Sequence, residues 1–170
     1  IQLIGSISHR ANLNVAPSEL VRGIAVALGG QYELFPAPAV VDTREIRDAI
    51  LSDSRVRRLF RTMETVDIAL LGVGAVGCQS PFVMKGYLSP KQMDRLGEAG
   101  AVGEVCGRFF TIDGYQCASE LCERMLSIEL GSLKRIRTRV GLACGLEKAE
   151  AVLGAIRGQL INVLITCQAY

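Results

Sequence analysis

Apolar positions along the chain fall into short runs separated by stretches with helical spacing. Ile1–Ile4 (IQLI) predicts a strand. Pro17 opens a helix at its first position, where a missing N–H costs nothing. Leu20, Val21, Ile24, Ala25 and Leu28 make that helix's apolar stripe, and Gly29-Gly30 stop it. Gln31–Phe35 predicts a strand closed by Pro36-Ala37-Pro38. Thr43 caps a short helix carrying Ile46 and Ile50. A second helix follows with Val56, Leu59, Phe60 and Met63 on one face, and Arg55, Arg58 and Arg61 on a solvated one.

In the second half, Asp67–Gly72 (DIALLG) predicts a buried strand. The loop from Gly72 to Leu88 is long for a compact domain, and loops of that length are often functional. Ser89-Pro90-Lys91-Gln92 is a capping box with Pro at the first helical position, starting a helix that ends near Gly100. Glu104–Phe110 predicts a strand, Asp113-Gly114 a turn, Ser127–Leu130 a short strand and Arg139–Cys144 another strand. Leu146–Arg157 predicts a helix with Ala149, Val152, Leu153 and Ile156 inward, and Ile161–Thr166 the last strand. Strand–helix alternation with continuous apolar strands predicts an α/β fold, a parallel sheet with helices on both faces. Ile68, Leu70, Val105, Leu142, Val163 and Ile165 are its expected core.

Composition narrows the function classes. The 170 residues are 49% hydrophobic and 21% charged, which suits one globular domain. The chain opens on a strand pattern at Ile1 and closes just after another, which reads as part of a longer protein. A net charge of +2, with five Phe, four Tyr and no Trp, argues against a nucleic-acid face within it. No apolar run approaches the ~20 residues of a membrane span, and no leader pattern is seen. The six cysteines form no C-x-x-C and match no zinc spacing. They read as reduced thiols of a cytoplasmic protein, with Cys106 and Cys144 as small hydrophobes in strands. His9 is the only histidine and sits in a polar loop, so His-based catalytic sites are nearly excluded. No metal or cofactor is implied.

Three motifs carry candidate chemistry. Gly72-Val73-Gly74-Ala75-Val76-Gly77 matches G-x-G-x-x-G after a strand, but CQSPFVMKGYLSP follows where a dinucleotide site needs a helix. Nicotinamide binding is disfavoured; the glycines still let backbone bend at a strand's carboxyl end, where parallel sheets bind ligands. Gln79 and Lys85 are the best polar contacts of this loop. Gly145-Leu146-Glu147-Lys148 ends a strand and begins a helix. A cation there opposes the helix dipole unless an anion is bound; otherwise Lys148 is a surface residue offset by Glu147. Glu104 is either an acceptor for sugar hydroxyls or an ordinary strand-end residue. Lys134, Arg135, Arg137 and Arg139 read as a solvated connection.

IQLIG, FPAPAVV, DIALLGVGAVG, GYLSPKQMDRLGEAGAVGEVCGRFF and VGLACGLEKAEAVLGAIRGQLINVLIT together resemble the effector-binding domain of SorC/DeoR-type bacterial transcriptional regulators, from Ile1 to about Thr166. The resemblance implies a Rossmann-like fold similar to glucosamine-6-phosphate deaminase and ribose-5-phosphate isomerase. It implies a phosphorylated-sugar effector, a helix-turn-helix elsewhere in the protein that binds operator DNA, and homodimers or homotetramers whose assembly the effector changes. By position, Glu104 and Lys148 match effector contacts, Gly74 to Lys85 matches a ligand-facing loop, and Asn12 and Asn14 fall in a polar loop facing the pocket. The helix-turn-helix and the family's Gly-x-Thr phosphate turn are expected upstream of Ile1, making 1–170 part of the effector domain. Cys167 stands where the family commonly has Asp. A sugar-phosphate isomerase or deaminase on the same fold is the alternative; fold alone does not decide function.

Overall fold

The computed structural model describes residues 1–6 and 16–167. The chain forms two compact units, Ile1–Met63 with Glu123–Ile128, and Glu64–Cys122 with Glu129–Tyr170.

Among its described residues the first unit carries three helices, α1 (Pro17–Ala27), α2 (Arg44–Ser52) and α3 (Ser54–Met63). Pro17 starts α1 as its position predicts, and the Thr43 hydroxyl accepts a hydrogen bond from the Ile46 N–H at the start of α2. On α3 the predicted face holds, with Val56, Leu59 and Met63 buried. Phe60 meets Phe35 edge-on, ring centroids 5.5 Å apart. The stripe of α1 does not close: Ala25 is buried, while Leu20, Ile24 and Leu28 are exposed. Two expected strands are also absent as ladders. Among the described residues, Ile1–Ile4 and Gln31–Phe35 pair through isolated contacts, such as Ile4 with Ser127 and the Gln2 N–H to the Glu33 carbonyl. Buried Gln2 supplies what a ladder would: its Oε1 accepts from the Phe35 N–H and its Nε2 donates to the Ile4 carbonyl. Ser127 likewise sits in a single bridge instead of a strand.

Among its described residues the second unit has two sheets. Strands β1 (Ile68–Gly72), β5 (Thr138–Ala143) and β6 (Val163–Thr166) form a parallel sheet in the order β1-β5-β6. Strands β2 (Gly74–Ala75), β3 (Ala101–Val105) and β4 (Arg108–Thr111) form an antiparallel meander. Helices α4 (Pro81–Met84), α5 (Pro90–Glu98), α6 (Glu120–Glu123), α7 (Leu130–Arg135) and α8 (Ala149–Arg157) lie between them in sequence. The capping box of α5 forms in full, Ser89 and Gln92 exchanging both bonds. Glu104–Phe110 is not one strand. Cys106 and Gly107, both at positive φ (52° and 75°), make the two-residue turn between β3 and β4. The stretch after Gly77 holds one helical turn, α4, in place of an irregular loop, but Gly74-Ala75 enters a strand and no helix opens at the glycine motif.

Of the six residues expected in the sheet core, Val105 is fully buried. Ile68, Leu70, Leu142, Val163 and Ile165 are 42–61% exposed. Alternation explains the outcome: these five share one face of the parallel sheet, and the opposite face buries Ala69, Leu71 and Ala143. Val140 shares the first face and is buried, so that face is covered only in part. On α8 the inward face is likewise the smaller one. Ala151, Gly154 and Ala155 are buried, whereas Leu153 and Ile156 are exposed. The helix approaches β3 so closely that a methyl group on Gly103 would stand 2.6 Å from the Ala151 Cβ, and one on Gly154 2.7 Å from the Thr111 carbonyl oxygen. At the helix's far end the backbones of Gly114 (φ +77°) and Gly158 touch. Only residues without large side chains permit that approach.

Arg108 lies inside this unit at 2% exposure. Its guanidinium donates to the Glu129 carboxylate at 2.7 Å and to the Cys122 carbonyl at 3.1 Å. A buried arginine is tolerated only when paired in this way. Two stability predictions follow from these contacts. Gly103→Ala overpacks the α8 contact and is expected to cost about 1–3 kcal/mol in denaturant unfolding. Arg108→Ala leaves a buried carbonyl without its donor and is expected to cost about 2–3 kcal/mol in the same measurement.

Candidate functional site

β1, β5 and β6 are parallel, so all three end at one edge, where such sheets open a crevice for ligands. The connections leaving that edge bring distant parts of the sequence together. From β1 the chain turns into β2, where Gly74 pairs with Glu104 of β3. From β5 it passes through Cys144 and Gly145 into a 3-10 turn, Leu146–Lys148, whose last residue is the N-cap of α8. From β6 it reaches Cys167.

Gly74, Glu104 and Lys148 converge. A side chain on Gly74 would collide with Oε1 of Glu104, so the missing Cβ is what leaves room for the carboxyl. Oε2 of Glu104 accepts the Gly107 N–H at 2.8 Å, a bond that the β3–β4 turn makes possible. Burial pushes the Glu104 carboxyl up to about 7. The Gly107 bond and the nearby Lys148 ammonium favour its charged form without overcoming burial. Burial also pushes the Cys106 thiol up to about 12, helped by Glu104 and opposed by Arg108, which disfavours its thiolate. Glu147 folds its carboxylate back over Gly145, whose φ of +106° shapes the turn.

Beside Lys148 lies a groove of about 340 Å³. Ala143, Gly145, Leu146, Val152, Leu164 and Thr166 contribute to its walls, which are apolar except near Lys148 and Thr166. The outward Leu153 and Ile156 of α8 line the groove, which accounts for the larger side chains on that face. The groove's ammonium and apolar wall, with the Glu104 carboxyl near that ammonium though not lining the groove, suit a small polyol carrying an anionic group. Among the described residues no group of three or more His, Cys, Asp and Glu side chains could hold a metal.

The other expected contacts are less gathered. Gln79 is exposed on the stretch before α4, and Lys85 is the half-buried C-cap of α4. Asn12, Asn14 and His9 lie outside the described residues. Two features escaped the sequence reading. One is Arg108, whose signal was a lone cation inside the apolar run VCGRFF. The other is a disulfide between Cys144 and Cys167, Cα atoms 5.2 Å apart, where reduced thiols were expected. Neither cysteine lies within a strand; each immediately follows one.

A mixed fold with a parallel sheet and a polar group at its carboxyl edge defines a Rossmann-like ligand-binding domain. The chain belongs to the sugar-binding domain family, whose model, described as "Putative sugar-binding domain", matches residues 1–169. It is 28% identical over 98% of its length to the sorbitol operon regulator of Klebsiella pneumoniae and 30% identical over 99% to the deoxyribonucleoside regulator of Bacillus subtilis. It covers 53% of each of these relatives, so it spans about half their length. The crystal structure of the full-length Klebsiella regulator superposes with a TM-score of 0.88, at 28% identity over 96% of this chain and 52% of that one. These proteins are named as an operon regulator and a deoxyribonucleoside regulator, and the Rossmann-like expectation holds with them. Among the described residues, no helix is long and apolar enough to cross a membrane.

The raised Glu104 value has a signed consequence for stability. An acid that titrates near 7 when folded and near 4.5 when unfolded holds its proton more tightly in the folded protein. Stability from this group is full below 4.5 and is lost as pH rises through 7. Glu104→Gln removes the titration, so its unfolding free energy is expected to fall less than wild type between pH 4.5 and 7 in parallel denaturant titrations. Equal slopes would overturn the assignment.

Proposed function

We propose that this chain is the effector-sensing part of a sugar-responsive, DNA-binding transcriptional regulator, and that its effector is a phosphorylated sugar. The observation that carries the reading is the convergence of Glu104 and Lys148 across Gly74 at the carboxyl edge of the sheet. In this reading Glu104 takes sugar hydroxyls. The Lys148 ammonium takes the phosphate. The groove wall takes the carbon skeleton. Asn12, Asn14, Gln79 and Lys85 are secondary contacts of the same ligand. Operator DNA is bound through a helix-turn-helix outside this chain. The effector acts by changing the assembly of homodimers or homotetramers in the cytoplasm. The regulator names of the relatives support this reading over a catalytic one.

A sugar-phosphate isomerase or deaminase is the second reading. One observation favours it: a carboxyl titrating near 7 is what a general base needs. Product formation when the protein is incubated with pentose and hexose phosphates would replace the first reading by this one.

Calorimetric titration of the protein with a panel of pentose and hexose phosphates tests the site. Lys148→Ala and Glu104→Gln each remove a charge-assisted bond. Each is expected to cost about 1.5–3 kcal/mol, roughly ten- to a hundred-fold in affinity. Gly74→Ala should weaken binding while leaving unfolding nearly unchanged, because the atom it displaces is the movable end of Glu104. Unchanged affinity in all three folded variants removes the site.

A further inference from the structure

The β5–β6 ladder runs in register to its last pair, Ala143 with Thr166. Cys144 and Cys167 are the next residues on each strand. Their Cα atoms stand 5.2 Å apart, within the span a disulfide bridges, and their sulfurs are joined. Both residues are exposed. Backbone pairing of the two strands holds the thiols side by side whether or not they are bonded, so the bond can open and close without rearrangement of the sheet. Exposed disulfides are the ones that redox partners reach, and they are the labile and regulatory class. The residues flanking the pair, Ala143 and Gly145 on one strand and Thr166 on the other, line the groove beside Lys148.

We propose that Cys144 and Cys167 form a reversible oxidation site, and that closing it fixes the groove end and the turn that carries Lys148. The oxidant is hydrogen peroxide. One thiolate attacks the peroxide oxygen, giving a sulfenic acid and releasing hydroxide, which leaves as water after taking up a proton. The second thiol attacks the sulfenic sulfur, forming the S–S bond and expelling a second water. Two thiols are oxidised by two electrons and one peroxide is reduced to two waters. A dithiol reverses the change by exchange. The other cysteines are poorly suited to this chemistry. Cys117 and Cys122 are buried, and the Cys106 thiol is held protonated. Exposed Cys78 is the competitor to be removed.

The test uses the Cys78→Ser protein and does not depend on any sugar. After reduction with dithiothreitol and treatment with hydrogen peroxide, non-reducing peptide mass mapping is expected to show a Cys144–Cys167 cross-link that dithiothreitol reopens. The Cys144→Ser variant is expected to lose it. Amide hydrogen exchange at residues 145–149 is expected to slow on oxidation by about threefold or more, as for a segment whose local opening is suppressed. Absence of the cross-link overturns the proposal. A cross-link that leaves exchange at 145–149 unchanged overturns its coupling to the Lys148 turn. Neither result bears on sugar binding, which is measured separately.

Discussion

The packing of α8 against the β3–β4 hairpin fixes everything else about the site. Gly103 lies under Ala151, Gly154 under the Thr111 carbonyl, and the backbones of Gly114 and Gly158 meet at the far end. Three points of near-backbone contact leave the helix little freedom to slide or roll, since protein interiors resist even methyl-sized changes. Lys148 caps that helix and Glu104 belongs to that hairpin. Their proximity is therefore a property of the small residues between the two elements, none of which offers a polar group to a ligand.

Electrostatics is arranged along the same hairpin. Arg108 is taken out of water but matched by Glu129 and a carbonyl, so its charge is satisfied locally. Glu104, four residues earlier, is matched only in part by one N–H and a neighbouring ammonium. The contrast separates a charge that holds the structure from one left with hydrogen-bonding capacity to spare.

The sequence made some of this legible and hid the rest for physical reasons. Helix starts were readable because Pro17, Thr43 and the Ser89–Gln92 box act through local backbone groups. Glu104 and Lys148 were readable as residues out of keeping with their neighbours. Burial was harder. Period-two alternation says that Ile68, Leu70 and Ile165 share a face but not whether that face is covered. On α8, hydrophobicity pointed to Val152, Leu153 and Ile156, but closeness of approach selected Ala151, Gly154 and Ala155. The Cys106-Gly107 turn was masked because a cysteine at positive φ runs against its ordinary preference. The Cys144–Cys167 pair depends on strand register, which sequence spacing does not encode.

The order of the parallel sheet also constrains how the molecule comes into being. β1 ends at Gly72, yet its neighbour β5 begins only at Thr138, and β6 follows at Val163. During synthesis from the amino terminus, β1 has no ladder partner until some sixty-five further residues have been made (from Gly72 to Thr138). The β3–β4 hairpin closes over two residues and needs no such wait. Glu104 can thus be in its turn long before β5 joins β1, and Lys148 follows β5 but precedes β6. The pairing of Glu104 with Lys148 is among the last features the growing chain can complete, so a stalled or truncated product carries the acid without its cation.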